Sequence, residues 1–343
     1  MDMGLAVNLD LTVVWAFLIA FAVFAYVVLD GFDLGLGMLF AIAPEERDRD
    51  VMMNSVAPVW DGNETWLVLG GGGLFAAFPL AYALVMPALY APIIAMLLAL
   101  IFRGVAFEFR WRTVRWRGVW DLAFIAGSSM ASFAQGVALG ALLQGIEVDM
   151  ATRSYAGGWF DWLTPFSVVT GVAVMAGYCL LGATWLVMKT EGDLQDRMRR
   201  IAWLAGLATL AFIGLVSAWT PFLQDGYYNR WFTGWGIGLA VLVAGAVLLV
   251  AWRMFHSLNV HRHEYRPFLQ AIALFALCFV GLGICMWPYV VPVEVTIWDA
   301  AAPEKSQMFM LVGALVLVPL ILAYTAYAYW TFRGKIDPEA GYH

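Results

Sequence analysis

Residues 11–37 read LTVVWAFLIAFAVFAYVVLDGFDLGLG, a run in which no charged residue precedes Asp30. A helix rises about 1.5 Å per residue, so roughly 20 apolar residues cross the hydrocarbon core of a bilayer. This run is therefore predicted to form a transmembrane helix. Comparable runs follow at about 52–77, 79–103, 118–143, 162–189, 199–222, 233–254, 267–291 and 306–332. The sequence predicts an all-α polytopic membrane bundle of about nine transmembrane helices, with residues 1–343 forming a single transmembrane domain.

The composition also indicates a membrane protein. Apolar residues make up 63% of the chain, charged residues 13%, and the mean hydropathy is +0.78, whereas soluble domains are close to half apolar and a quarter charged. No basic patch stands apart from the loops that flank the runs, so nucleic acid is not a predicted partner. The three cysteines lack CxxC spacing and indicate neither a disulfide framework nor a zinc site. Residues 1–10 contain no Lys or Arg, unlike the start of a cleavable signal peptide.

The positions of the basic residues predict the orientation of the bundle. Cytoplasmic loops of membrane proteins carry an excess of Lys and Arg. With the N-terminus outside, 16 of the 19 basic residues fall in inside segments, and only Arg153, Arg230 and Lys305 remain outside. A missed or invented span would disturb this alternation. The sequence therefore predicts an external N-terminus and a cytoplasmic C-terminus.

Two acidic residues lie near the inner end of the first run. Asp30 and Asp33 are three residues apart and share a helix face, and an ionised side chain at mid-bilayer costs at least about 2.5 kcal/mol. Gly31 and Gly35 form a GxxxG pair, which lets another helix approach closely. The pattern is compatible with a proton-carrying pair. It is equally compatible with helix packing, with Asp33 reaching the cytoplasmic interface.

The second run contains WDGNETW at 60–66 and is separated from the third by a tight Phe78-Pro79 turn. If the run starts near residue 52, Asp61 lies about 14 Å deep and Glu64 about 18 Å deep. The run contains no Lys or Arg, so each carboxyl group is protonated, paired with a cation from another helix or chain, or facing water. A series of protonatable groups that starts from the cytoplasm suits a proton relay. A buried hydrogen-bonding node that fixes helix register is the alternative.

Other polar residues are assigned structural roles. Arg103, Glu108 and Arg110 lie at the inner end of the third run and are predicted to form an interfacial belt of ion pairs. Trp60 and Asn63, which flank Asp61, are placed in the same structural group. Gln135 is a lone polar residue in the fourth run and is predicted to hydrogen-bond between helices.

The histidines argue against a haem site within this chain. A haem needs axial ligands, which are most often histidines. The four histidines, His256, His261, His263 and His343, all fall outside the nine runs. The chain is predicted to ligate no haem and no other metal, and to carry no catalytic residue of its own.

Several stretches resemble subunit II of the cytochrome bd-type ubiquinol oxidases, including the cyanide-insensitive oxidases. They are LDGFDLGLGML (29–39), NSVAPVWDGNETWLVLGGGGLFAAFP (54–79), FRGVAFEFR (102–110), WDLAF (120–124), MWPYVVP…TIWDA (286–300) and VPLILAYTAYAYW (318–330). The similarity extends over essentially the whole chain, and the block from WDGNE to FAAFP is highly specific.

The resemblance implies a complex in the bacterial cytoplasmic (inner) membrane that oxidises quinol and reduces O₂ to water. In that family the larger subunit I holds haem b, a second haem of b or d type and the quinol site. Membrane lipid, a small third subunit and a structural quinone or lipid are further partners that fit the family. The subunit that this chain resembles has a supporting but functional role.

The resemblance also implies roles for individual residues. Asp61 is similar to the residue assigned to a cytoplasmic proton path, and Asp30 and Asp33 match positions lower on that route. Glu64 stands where some relatives have Gln and is a candidate for a further proton station. Trp66 looks like the tryptophan near the mouth of an apolar oxygen channel.

Two alternatives to this prediction remain. A proton-coupled secondary transporter also uses buried carboxylates, although the sequence shows no inverted repeat and no pair of broken helices. A purely structural scaffold would use its buried acids for helix packing only.

Glu108 stands where some family members have Asp, which keeps the charge but changes its reach.

Overall fold

The structure of the chain is a computed structural model that describes residues 10–113, 115–260 and 262–337. The α-helices in these ranges are α1 (Leu11–Leu39), α2 (Glu46–Val56), α3 (Trp60–Ala77), α4 (Pro79–Ala88), α5 (Tyr90–Arg112), α6 (Arg117–Gln144), α7 (Pro165–Lys189), α8 (Gly192–Trp219), α9 (Asp225–Phe232), α10 (Gly236–Asn259), α11 (Arg266–Met286), α12 (Ile297–Ala300) and α13 (Glu304–Thr331). Two short antiparallel hairpins pair β1 (Val148–Asp149) with β2 (Ser154–Tyr155), and β3 (Tyr289–Val291) with β4 (Val295–Thr296).

The predicted all-α membrane bundle is confirmed. Within the described ranges, eight helices are long and apolar enough to cross a membrane, namely α1, α5, α6, α7, α8, α10, α11 and α13. The helix α3, which has 18 residues, is not among these eight, so the ninth span stays a prediction. It runs antiparallel to α1, as its contacts show: Gly70 lies against Val23, and Gly73 lies against Ile19. The polar WDGNE sequence in its first turns lowers the hydropathy of α3 below that of the other eight. The side of the membrane on which the N-terminus lies stays a prediction.

The first helix begins where its sequence provides a cap and packs where it provides glycines. The Asp10 carboxylate accepts a hydrogen bond from the Thr12 backbone nitrogen at 2.9 Å, which satisfies one of the free N–H groups at the start of α1. Near the other end, a Cβ on Gly35 would lie 1.8 Å from the carbonyl oxygen of Tyr178 in α7. The close approach predicted from the GxxxG pair is therefore confirmed, and α7 is the helix that approaches.

The predicted second and third spans have different boundaries in the structure. The run at 52–77 is divided because α2 ends at Val56 and α3 starts at Trp60, with Pro58 between them; proline has no N–H for the helical ladder. The run at 79–103 is divided at Leu89, and α5 then continues to Arg112. The tight turn at Phe78-Pro79 is confirmed as the link between α3 and α4.

Ion pairs fasten α2 to the bundle beside the C-terminal end of α5 and the N-terminal end of α6. Arg110 is fully buried, and its Nε and Nη1 atoms donate to Asp121 at 2.5 Å and to Asp50 at 2.6 Å. Arg49 donates to the other oxygen of Asp121 at 2.9 Å. Because α2 carries Arg49 and Asp50, these bonds hold α2 against α5 and α6.

The largest apolar core surrounds the acidic end of α1. Phe32 is fully buried between Asp30 and Asp33 in sequence, and it stacks on Trp185 of α7 with ring centroids 4.4 Å apart. Phe268 of α11 meets Phe32 edge-on at 5.5 Å. The acidic end of α1 is thus held rigidly by aromatic packing on α7 and α11, whereas the apolar stretch of α13 lies on the outside of the chain.

Candidate functional site

Two carboxylates from α1 lie inside the bundle, where an arginine from α5 reaches them. The side chains of Asp30 and Arg103 are 0% and 2% exposed, and the residue Asp33 as a whole is 2% exposed. Arg103 Nη1 donates to Asp30 Oδ1 at 2.6 Å. Burying a charge is costly unless it is paired, so this contact explains how both ionisable groups can be present in the core.

The polar first turns of α3 complete the cluster. Glu64 Oε2 accepts from Arg103 Nη2 at 3.0 Å, so one guanidinium binds carboxylates from two helices. Asn63 is buried, and its Nδ2 donates to Asp33 Oδ2 at 2.8 Å and to the Leu29 carbonyl oxygen at 3.2 Å. These bonds join α1, α3 and α5 at one depth.

Aromatic side chains surround this cluster and link it to α13. The Trp60 ring lies 5.6 Å from the Arg103 guanidinium carbon and stacks on Phe107 at 5.1 Å, an arrangement that stabilises the cation. The Tyr329 hydroxyl of α13 donates to Asn63 Oδ1 at 2.8 Å. The structural roles predicted for Trp60 and Asn63 agree with these contacts, and Asn63 contacts a cluster carboxylate directly.

Among the residues that the structure describes, the cluster contains more carboxyl groups than cations. Asp30, Asp33 and Glu64 contribute three carboxyl groups, and Arg103 is the cation that binds two of them. Asp30 Oδ2 and Asp33 Oδ1 are buried and have no hydrogen-bond partner among the described residues. Excess negative charge is unfavourable in a low-dielectric interior. The cluster is therefore suited to taking up and releasing a proton.

Trp66 lies three residues after Asn63 in α3, slightly less than one helical turn, on the same buried side. It is 1% exposed and meets Phe21 of α1 edge-on, with ring centroids 5.6 Å apart. Phe21 and Leu69 line a small apolar cavity between α1, α3 and α13, together with Gly73. The surroundings of Trp66 are apolar apart from its own indole N–H.

The helix start that the sequence suggested for this region is wrong. The depths predicted for Asp61 and Glu64 assumed a helix that starts near residue 52, whereas α3 begins at Trp60 and places Asp61 in its first turn. Asp61 is exposed on the outer face of the chain and forms no ion pair with Arg103 in the described ranges. It therefore does not join the buried cluster, although Glu64, three residues later, does.

The predicted belt of ion pairs between Arg103, Glu108 and Arg110 is also wrong. Both arginines face the interior and bind other carboxylates, whereas Glu108 is exposed. A helix turns about 100° per residue, so the five-residue offset puts Glu108 on a different face from Arg103. Asp121 and Asp50, which actually bind Arg110, were not singled out in the sequence.

The described histidines do not fit a haem. His256 is exposed in the last turn of α10, and His263 lies in the loop that follows, so neither faces the core of the bundle; His261 and His343 lie outside the described residues. Within the described ranges, no group of three or more His, Cys, Asp or Glu side chains is arranged to hold a metal ion. The two histidines that the structure describes thus provide no axial ligand in the core of the bundle.

The fold and the site together define a class: a polytopic helical membrane protein whose interior carries a cluster of carboxyl groups around an arginine. The sequence profile described as "Cytochrome bd terminal oxidase subunit II" matches residues 11–332. The chain belongs to this family. It is a subunit of an oxidoreductase complex and a multi-pass protein of the bacterial inner membrane.

Individual relatives agree with this membership. The chain is 34% identical to cytochrome bd-I ubiquinol oxidase subunit 2 of Escherichia coli K12, and the alignment covers 95% of both chains. It is 31% identical to cytochrome bd ubiquinol oxidase subunit 2 of Bacillus subtilis, over 94% of this chain and 96% of that one.

A solved structure shares the fold. A chain from the bd oxidase of Geobacillus thermodenitrificans superposes with a TM-score of 0.79, covering 94% of this chain and 99% of that chain at 17% identity. The similarity to these proteins favours the oxidase subunit over the secondary transporter as the class of this chain.

Proposed function

We propose that this chain is the non-haem-ligating subunit II of a cytochrome bd-type quinol oxidase and that it supplies protons to a haem-bearing subunit I. Quinol oxidation and O₂ reduction take place in that partner, which holds haem b and a second haem of b or d type. The names of the relatives, which are subunits 2 of ubiquinol oxidases, support this proposal. A small third subunit and a bound structural quinone or lipid belong to the same proposal, and so does a single domain over the whole chain.

The observation that carries the proposal is the buried carboxylate cluster of Asp30, Asp33 and Glu64 around Arg103. A scaffold needs no excess of acid over base at this depth, because a neutral hydrogen-bonding pair would fix helix register at a lower desolvation cost. Carboxyl groups with unpartnered oxygens are the groups that a proton relay requires.

The proposed route runs from the buried acids of α1 to the outer face of α3. Asp33 and Asp30 lie on one face of α1, and Glu64 meets Asp30 across the guanidinium of Arg103. The Glu64 side chain is 29% exposed, so it lies at the edge of the cluster. Asp61 precedes it on the exposed face, where a partner chain receives the proton. Water molecules bridge the gaps, since these carboxyl groups do not contact one another directly.

The apolar cavity beside Trp66 supports a second part of the proposal, an O₂ channel. O₂ is small and apolar, and it moves through gaps that exclude protons and water. The cavity lies between α1, α3 and α13 and is lined by apolar side chains such as Phe21 and Leu69, of which Phe21 also contacts Trp66. Trp66 borders this route through its contact with Phe21.

The proton role is tested in the assembled oxidase with Asp30→Asn, Asp33→Asn and Asp61→Asn. Each substitution removes a proton-binding group while preserving shape, and O₂ consumption per haem falls at least about tenfold. Proton uptake from the cytoplasmic side, measured in reconstituted vesicles, falls in parallel. Asp193→Asn is the matched control, because Asp193 is an exposed residue in the first turn of α8, away from the cluster.

Wild-type turnover and proton uptake in all three variants would overturn the proton role and leave the scaffold as the function of the buried acids. Substrate-stimulated uptake by this chain in vesicles without a partner would instead support a transporter.

A further inference from the structure

A second buried polar group adjoins the carboxylate cluster on the side of α6 and α7. Gln135 of α6 lies between two tyrosines: Tyr178 of α7 donates to its Oε1 at 2.7 Å, and its Nε2 donates to the hydroxyl of Tyr26 at 2.7 Å. Tyr26 and Tyr178 are 4% and 1% exposed. The interhelical hydrogen bonding predicted for Gln135 is therefore confirmed, and it connects three helices.

Tyr26 places this group of Tyr26, Gln135 and Tyr178 next to Asp30 in α1. Tyr26 is four residues before Asp30 in α1, which places both side chains on one helix face. A phenol has one proton to donate. Tyr26 accepts from Gln135, so its own proton is free, and Asp30 Oδ2 is the buried oxygen beside it that lacks a partner among the described residues.

The orientation of the Gln135 amide decides whether the Tyr26 hydroxyl proton is available to Asp30. In the opposite orientation, Tyr26 would give its only proton to the amide oxygen and turn its lone pairs toward Asp30. That arrangement places two electron-rich oxygens against each other in the core and is unfavourable. In the structure, Tyr178 instead donates to Gln135 and Gln135 donates to Tyr26, which leaves the Tyr26 proton available to Asp30.

An amide conducts protons poorly. Its nitrogen donates hydrogen bonds, but it passes a proton onward only through a high-energy imidic acid form, whereas carboxyl groups and water exchange protons readily. Gln135 therefore ends the exchangeable groups on the interior side of Asp30. On the opposite side, Glu64 is part-exposed and can continue the series.

We propose that Gln135 is a positioning residue for the proton path: it fixes the Tyr26 hydroxyl as a donor to Asp30 and closes the carboxylate cluster toward α6 and α7. Protons on Asp30 then leave only through the α3 side, toward the partner chain. This inference rests on the proton role proposed above. It gives the route a direction that the carboxylates alone do not provide.

The test compares three variants in the assembled oxidase: Tyr26→Phe, Gln135→Leu and Tyr178→Phe. Tyr26→Phe and Gln135→Leu each remove the oriented donor to Asp30, and turnover per haem falls about 3- to 10-fold, the effect of one buried hydrogen bond. The double variant is no slower than either single variant, because both act through the same bond. Tyr178→Phe leaves the Gln135–Tyr26 bond in place and has the smaller effect.

This comparison separates positioning from packing. Tyr26→Phe and Tyr178→Phe each take one hydrogen bond from the same amide, so a purely structural node predicts equal losses. An infrared difference spectrum provides a second readout: the carboxyl band that disappears in Asp30→Asn shifts in Tyr26→Phe and Gln135→Leu but keeps its position in Tyr178→Phe. Equal turnover in Tyr26→Phe and Tyr178→Phe, or an unshifted band, overturns the inference.

Asp30→Asn distinguishes this inference from the proposed function. If Asp30→Asn turns over at the wild-type rate, the proton role itself fails. If Asp30→Asn is slow while Tyr26→Phe and Gln135→Leu keep the wild-type rate and band, the proton role stands and Gln135 has no part in it.

Discussion

Arg103 of α5 and Asp30 of α1 form a fully buried ion pair, with Nη1 and Oδ1 2.6 Å apart and neither side chain more than 2% exposed. The same guanidinium binds Glu64 of α3. Three helices that are distant in sequence are thus joined through one side chain. The pair affects both the stability of the complex and the proposed proton role of Asp30, and different substitutions separate the two effects.

We expect Arg103→Met to destabilise the complex strongly. Removing one partner leaves Asp30 as an uncompensated buried charge, which costs about 3 to 5 kcal/mol. Arg103→Lys recovers only part of this loss, because an ammonium cannot bind two carboxylates in the planar geometry of a guanidinium. Thermal unfolding of the purified complex, followed by loss of the haem spectrum, measures both effects. Combining Arg103→Met with Asp30→Asn restores stability; a double variant as unstable as Arg103→Met alone would contradict this account.

A second prediction concerns the ion pairs that fasten α2. Arg110 has a fully buried side chain between Asp121 and Asp50, whereas Arg117 binds Glu46 with a side chain that is 29% exposed. Arg110→Met is expected to cost about 3 to 5 kcal/mol and Arg117→Met no more than about 1 kcal/mol, since water screens the exposed pair. Unfolding temperatures of the two variants give the comparison. Similar losses would show that burial does not decide the strength of these pairs.

The sequence was sufficient for the fold and for the acidic half of the site. Charged residues inside apolar runs stand out because hydrocarbon disfavours them, and this singled out Asp30, Asp33 and Glu64. The sequence was not sufficient to place Arg103, the cation of the site. Arg103 was placed at the inner end of a span, but α5 continues to Arg112, which brings Arg103 to the depth of Asp30. Helix ends are poorly defined by hydropathy alone when the last turns carry arginines.

The rotation of helices was also beyond what the sequence could define. The sequence left open whether Asp61 and Glu64 are protonated, paired with a cation or facing water; in the structure Glu64 binds Arg103, whereas Asp61 is exposed. Tyr329 gave no signal, because it lies in an aromatic-rich helix end where one hydroxyl among several happens to meet Asn63. Such contacts depend on tertiary packing, since apolar periodicity in a lipid-facing helix does not distinguish the buried side.

The apolar cavity beside Trp66 leads to a prediction about substrate access. Trp66→Phe reduces the volume of the buried ring that packs on Phe21, which lines the gap between α1, α3 and α13, and so leaves Phe21 room to move out of that gap. If O₂ travels through this gap, kcat/KM for O₂ rises while kcat at saturating O₂ is unchanged. Oxygen consumption at limiting O₂ is the measurement, and Trp219→Phe, at the far end of α8, is the control. An unchanged kcat/KM in Trp66→Phe would remove Trp66 from the oxygen route.

The C-terminal segment offers a test of pH dependence outside the membrane. Lys335 Nζ binds the Glu264 carboxylate and donates to the Thr190 carbonyl oxygen at 2.7 Å, and Ile336 N donates to the Lys189 carbonyl oxygen at 2.9 Å. Residues 332–337 are thereby held across the ends of α7 and α11. Burial acts to raise the pKa of Glu264, but hydrogen bonds from Lys335 and Gln195 outweigh it, and the pKa is held below the usual 4.5.

The sign of the effect follows from this lowered pKa. A carboxyl group whose pKa is lower in the docked state stabilises docking at pH values above its free pKa, and the stabilisation is lost as the pH falls through the lowered value. We therefore expect the segment to be docked near neutral pH and to be released below about pH 4.5. A spin label at Arg333→Cys, in a background without the three native cysteines, reports this as a rise in mobility. Glu264→Gln should be mobile at every pH, because an amide binds the Lys335 ammonium only weakly. If the wild-type and Glu264→Gln proteins gave the same pH profile while the haem spectrum of the complex stayed intact, Glu264 would not be the group that holds the segment.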